Sequence, residues 1–207
     1  MDQINKEELT LKLFKAGCVK FGEFTLKSGM KSPIYIDLRI LVSYPEVLKS
    51  VGEAFASVLE NLEFDRIAAV PYAALPLAAV VSFLMKKPWI YTRKEAKDHG
   101  IQRPIEGLYN EGEVVVVIDD LITTGASKLE VIRPIEAKGL KVKDVVVLVD
   151  REQGGGDQLA KKGYKLHSVI DFSQMLRILE EKGMITSEKY QETVEYLEKT
   201  KVNYLMK

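Results

Sequence analysis

The chain has 207 residues, with 30 Lys plus Arg against 30 Asp plus Glu, 46% hydrophobic and 29% charged. That length suits one well-packed α/β domain, and the zero net charge argues against a nucleic-acid coat or a polybasic membrane binder. A single cysteine, Cys18, excludes an intramolecular disulfide framework and a cysteine-based zinc site.

In chain order, Ile4–Ala16 has helical spacing. Phe21–Leu38 alternates apolar and polar residues, with turn signals at Lys27-Ser28-Gly29 and Ser32-Pro33. Residues 1–44 therefore read as a small appendage. Residues 45–170 read as an α/β core with five buried strands: Arg66–Val70, Pro88–Thr92, Val114–Asp119, Lys143–Val149 and Leu166–Ile170. The runs VVVVI and VVVLV within them are continuous and β-branched, the pattern of strands covered on both faces and hence of a parallel sheet. Amphipathic segments alternate with them at Pro45–Glu60, Leu75–Met85, Ser127–Lys138 and Leu159–Lys162, as in βαβ units. Pro134 predicts a kink or early stop in the third of these helices. Residues 171–207 read as two terminal helices, Phe172–Lys182 and Ser187–Lys199, broken at Gly183 with Ser187 as N-cap. No apolar run approaches the ~20 residues that span a bilayer, and Met1–Lys15 lacks a signal-peptide core, so a single cytoplasmic domain is expected.

The stretch VVVVIDDLITTGASK, Val114 to Lys128, carries the chemistry. A buried strand ends in two acids, Asp119 and Asp120, and a small-residue turn then opens a helix. Free N–H groups at a helix N-terminus hold phosphate, and Thr123, Thr124 and Ser127 add hydroxyls. Two carboxylates beside that turn would repel the same phosphate unless they face sugar hydroxyls or a bridging cation. The pattern points to a ribose-5-phosphate-like ligand.

The run Val115–Ser127 resembles the phosphoribosyl-diphosphate (PRPP) signature of type I phosphoribosyltransferases. Three further segments resemble the orotate phosphoribosyltransferase family: Phe21–Gly29 with Lys31-Ser32-Pro33, Arg93–Gly100, and Asp150-Arg151-Glu152-Gln153-Gly154-Gly155. Val70–Ala78 and Leu166–Val169 look most like the transferase half of bifunctional UMP synthases. Ala73 and Ala74 depart from the Lys-Gly of many stand-alone bacterial members, and 207 residues leave no room for a second barrel domain.

The resemblance implies a mainly parallel five-stranded sheet flanked by helices, with an N-terminal hood. It implies transfer of phosphoribosyl from PRPP to orotate, giving orotidine 5′-monophosphate and pyrophosphate for pyrimidine (UMP) biosynthesis. The PRPP site implied is Lys27, Tyr72, Asp119, Asp120, Leu121, Ile122, Thr123, Thr124, Gly125, Ala126 and Ser127. Lys27, Tyr35, Ile36, Thr123 and Arg151 would take orotate, with Arg151 paired to its carboxylate. Catalytic roles fall to Arg93, Lys94, Lys97 and His99 of a polar closing loop, together with Asp119 and Asp120. Mg²⁺ would be held mainly by PRPP and water rather than by a protein site. A homodimer sharing that loop between subunits is implied, with no nucleic-acid or membrane partner. Association with a separate orotidylate decarboxylase is left open, as are a transferase for another base and a non-catalytic PRPP-sensing regulator. Cys18, His167 and Trp89 read as core or packing residues.

Overall fold

The computed structural model describes residues 5–25, 29, 31–93 and 104–205, with side chains to residue 201. Helix α1 (Lys6–Lys15) starts at Asn5, whose side chain accepts from the Glu8 N–H at 3.0 Å, and buries Leu9, Thr10 and Leu13. Gly17 turns the chain into an antiparallel hairpin of β1 (Val19–Thr25) and β2 (Lys31–Ile36), with Val19 opposite Ile36 and an irregularity between Phe21 and Phe24. The described part of the alternating segment thus forms paired strands with one face on the core, where Val19 and Ile34 are buried. A 3-10 turn, Leu38–Ser43, follows and carries no sequence signal of its own.

Helix α2 (Pro45–Leu59) begins with proline at its first turn, where the missing N–H costs nothing. The main sheet then forms from β3 (Arg66–Ala69), β4 (Trp89–Thr92), β5 (Ile105–Glu106), β6 (Val114–Ile122), β7 (Lys141–Asp150) and β8 (Lys165–Asp171). Its order is β5-β4-β3-β6-β7-β8, parallel throughout except for β5, which pairs antiparallel with β4. Helices α3 (Ala74–Met85), α4 (Ala126–Glu136), α5 (Gly155–Ala160), α6 (Phe172–Glu181) and α7 (Ser187–Leu205) complete the order. All four residues of β3 and all of Val145–Val149 are buried, as the β-branched runs require for strands covered on both faces.

Four differences from the sequence expectation stand out, two of them with a direct physical cause. The sheet has six strands rather than five, because two residues are too few to show any periodicity in β5. Strand β6 continues through both acids to Ile122, because β7 extends to Asp150 and supplies ladder partners up to the pair Ile122–Asp150. Helix α5 starts at Gly155, earlier than expected, within glycines that read as loop. The cap of α7 is Thr186, whose hydroxyl accepts from the Lys189 N–H at 3.2 Å, one residue before Ser187. Helix α4 ends at Glu136, two residues after Pro134. No helix among the described residues is long and apolar enough to cross a membrane.

Candidate active site

Strand β6 delivers Asp119 and Asp120 from the centre of the sheet, and its end turns through Thr123 and Thr124 into α4. Gly125 makes that turn with φ +84°, a backbone region that disfavours any side chain, and stands at the N-cap of α4. A cavity of about 350 Å³ opens there, lined by residues 119–121 and 123–128. Its floor is the start of α4, where N–H groups lack helical partners and attract anions. Thr123, Thr124 and Ser127 place hydroxyls around it.

The two acids are not equivalent. Asp119 is 4% exposed, and both its oxygens are engaged: Oδ1 accepts from the Asp120 N–H at 2.8 Å, and Oδ2 pairs with Lys128 Nζ at 2.6 Å. Lys128 is itself 3% exposed, and its ammonium also donates to the Leu121 carbonyl and, at 3.3 Å, to Ser127 Oγ. Asp120 accepts from the Leu121 N–H at 2.8 Å. Burial, and then the neighbouring Asp119 charge, push the Asp120 carboxyl up to about 7. The sequence reading left both acids to sugar hydroxyls or a bridging cation. In the structure Asp119 is tied inward, and Asp120 is the less buried carboxylate on the cavity.

Lys128 was not singled out from the sequence. A signal existed: a lysine in the first turn of a helix opposes the helix dipole, so its presence there calls for an anion nearby.

The loop after β7 closes against the turn. The Arg151 N–H donates to the Ile122 carbonyl at 3.1 Å. A Cβ on Gly155 would stand 2.5 Å from Ile122 Cγ1 and 2.8 Å from the Thr123 carbonyl oxygen, so only glycine allows this contact. The sequence-predicted residues thus divide. Asp119, Asp120, Leu121 and Thr123–Ser127 surround one cavity, while Ile122 is fully buried behind it and joined to Arg151 through the backbone.

Tyr35, Ile36, Tyr72 and Arg93 are not among the residues lining that cavity. Tyr35 and Ile36 lie on β2, where the Tyr35 hydroxyl accepts from Arg39 at 3.1 Å and its ring stands 5.5 Å from that of Phe24. Tyr72 is 64% exposed in the turn between β3 and α3, next to a cis Pro71–Tyr72 peptide. Arg93 pairs with Glu106 at 2.8 Å at the mouth of the polar loop. Lys27, Lys94, Lys97 and His99 lie outside the described residues.

The residues read as structural sit as packing groups. Cys18 is buried, and burial pushes its thiol up to about 11, far from a nucleophile's range. His167 Nε2 lies 2.7 Å from Asp144, and Trp89 stacks on Tyr91 at 5.7 Å.

The chain is similar to known proteins across most of its length. Residues 39–181 match the phosphoribosyl transferase domain family. The chain is 46% identical to the uridine 5′-monophosphate synthase of Bos taurus over 85% of its own length and 37% of the relative's. It is 40% identical to the orotate phosphoribosyltransferase of Pyrobaculum aerophilum over 90% of its length and 96% of the relative's. Among solved structures, the UMP synthase of Leishmania donovani superposes with a TM-score of 0.86 at 45% identity, over 94% of this chain and 42% of that one. The chain therefore spans about two fifths of the length of the UMP synthases it matches, and nearly all of the archaeal transferase.

Proposed function

The chain belongs to the phosphoribosyltransferase domain family, in its orotate phosphoribosyltransferase branch, and from that premise we propose that it transfers phosphoribosyl from PRPP to orotate in pyrimidine biosynthesis. The observation that supports this most is the cavity at the end of β6. It combines a phosphate-binding turn, two acids and, through the Arg151–Ile122 contact, a neighbouring arginine loop.

In this reading a ring nitrogen of orotate attacks the anomeric carbon of PRPP. The bond from that carbon to the diphosphate oxygen breaks, the electron pair leaves with pyrophosphate, and the ring nitrogen gives up its proton to water. The transition state has oxocarbenium character, so charge placement matters more than covalent help. The Thr123–Ser127 turn holds the 5′-phosphate with hydroxyls and N–H groups. Asp120 accepts from the ribose hydroxyls, and Asp119, fixed by Lys128, orients the Asp120 backbone through its N–H contact. Arg151 pairs with the orotate carboxylate in two-pronged geometry. Tyr35 and Ile36 flank the ring, Lys27 also takes orotate and PRPP, and Tyr72 lies toward the diphosphate. Arg93, Lys94, Lys97 and His99 stabilise the leaving group from the closing loop.

The hard carboxylate and hydroxyl oxygens at the cavity would suit a magnesium ion held mainly by the diphosphate and water, with Asp120 available for an outer contact. Magnesium, when bound, spreads the leaving group's charge.

Helix α3 supports pairing into a homodimer. Ser82 is the single polar residue of its twelve, and its outer face leaves Ala79 and Phe83 exposed, Phe83 at 84%. A helix apolar on all sides needs cover on all sides.

The reading is tested by mixing the protein with orotate, PRPP and Mg²⁺ and following orotate absorbance. PRPP-dependent loss is expected, with the KM for orotate raised at least about tenfold in Arg151→Ala, because a two-pronged charged contact is lost. No loss of orotate from folded protein would overturn it.

A further inference from the structure

Helix α7, Ser187–Leu205, lies beyond residues 39–181 that match the domain family, and nothing in the proposed mechanism uses it. Its inner face nonetheless carries two buried threonines seven residues apart, Thr193 at 0% and Thr200 at 3% exposure. Residues two helical turns apart share a face. Each hydroxyl donates back to a helix carbonyl, Thr193 to Lys189 at 2.8 Å and Thr200 to Tyr196 at 2.9 Å. Bonded in this way, Thr200 has lone pairs left to accept. They are used: Gln153 Nε2 donates to Thr200 Oγ1 at 2.6 Å across 47 residues of sequence, and Gln153 is 1% exposed.

Gln153 sits two residues after Arg151. The intervening Glu152 adopts a left-handed backbone at φ +57° and accepts from the Ser173 N–H, at the start of α6, at 2.7 Å. The short arginine loop is therefore held at three places: to the phosphate turn through the Arg151 N–H, to α6 through Glu152, and to α7 through Gln153. Helix α7 also packs against β2, the strand bearing Tyr35 and Ile36. One helix thus touches both elements assigned to the flat base.

We propose that α7 is a strut that sets the base pocket, with Thr200 a positioning residue acting through Gln153 on the Arg151 loop. The proposal deepens the reading of the chain as an orotate transferase and rests on it for the ligand. The phosphate turn meets this loop at the Arg151–Ile122 contact but has an anchor of its own in Lys128, so loss of the strut falls on the base more than on PRPP.

The test compares wild type with Thr200→Val, which keeps the shape and removes the acceptor, and with Thr200→Ser, which retains it. Gln153→Met removes the donor and serves as a second variant should Thr200→Val fold poorly. Loss of one buried hydrogen bond predicts an orotate KM raised roughly five- to tenfold in Thr200→Val and Gln153→Met. The PRPP KM stays within about twofold, and Thr200→Ser lies near wild type. Amide hydrogen exchange gives a readout free of substrate: residues 150–155 exchange faster in Thr200→Val, while residues 119–127 do not. Equal rises in both KM values, or unchanged exchange at 150–155, overturn the strut. A wild type that ignores orotate overturns the functional reading instead, and the exchange result still decides the strut.

Discussion

Replacing Lys128 by methionine isolates the ion pair beneath the phosphate turn. The two side chains are 4% and 5% exposed and 2.6 Å apart. An exposed pair contributes about 0–1 kcal/mol, whereas removing one partner of a buried pair costs about 3–5 kcal/mol, because the remaining charge loses both water and counter-ion. Here the stranded charge is Asp119, directly beside Asp120, so the larger figure applies. For a chain of this length 1 kcal/mol moves Tm by roughly 2–4 °C, so Lys128→Met lowers Tm by roughly 6–20 °C. The same change frees the Leu121 carbonyl and loosens the turn, and the PRPP KM rises. Thermal unfolding of Lys128→Met, Asp119→Asn and the double variant closes the cycle. The double variant is less destabilised than the sum of the single ones by about 2 kcal/mol or more. Losses that add within about 0.5 kcal/mol would show that the pair is not coupled, and the account of the turn would fail.

Three further outcomes follow from the site and the surface. Asp120, with its carboxyl pushed up to about 7, accepts from ribose hydroxyls only when deprotonated, so PRPP affinity rises between about pH 6 and pH 8. Titration calorimetry across that range in Asp120→Asn is flat if this carboxyl is responsible, and an unchanged slope assigns the effect elsewhere. Because the folded state holds this proton more tightly than the unfolded chain, the group's contribution to stability is full below about pH 4. It is lost as pH rises through about 7, the reverse of an ordinary paired aspartate. At the surface, Phe83→Lys lowers the dimer fraction in sedimentation while leaving the Tm of the dilute protein within a few degrees. An unaffected dimer removes α3 from the interface.

Much of the architecture was readable because burial writes itself into composition. The runs Val114–Ile118 and Val145–Val149 have no polar interruption, and only a strand covered on both faces tolerates that. The turn Thr123–Ser127 was readable because small residues, hydroxyls and two acids at a strand-to-helix junction leave few other uses. What stayed hidden depends on contacts between distant residues. Lys128 carries only the weak signal of a cation in a helix's first turn, and its partner Asp119 is known only once the side chain is seen folded back. Thr200 and Gln153 are 47 residues apart and neither is unusual locally. The inequality of Asp119 and Asp120 is likewise invisible in a dipeptide, because it arises from which one meets the ammonium. The two-residue β5 lies below any periodicity that could be counted.

Base identity is decided by offering the protein PRPP and Mg²⁺ with orotate, uracil, adenine and hypoxanthine in separate reactions, and identifying each nucleotide by mass. Orotidine 5′-monophosphate is expected from orotate, with pyrophosphate in equal amount, and no more than trace product from the three bases that lack a carboxylate for Arg151. Efficient turnover of any of those three, with orotate untouched, would contradict the orotate assignment.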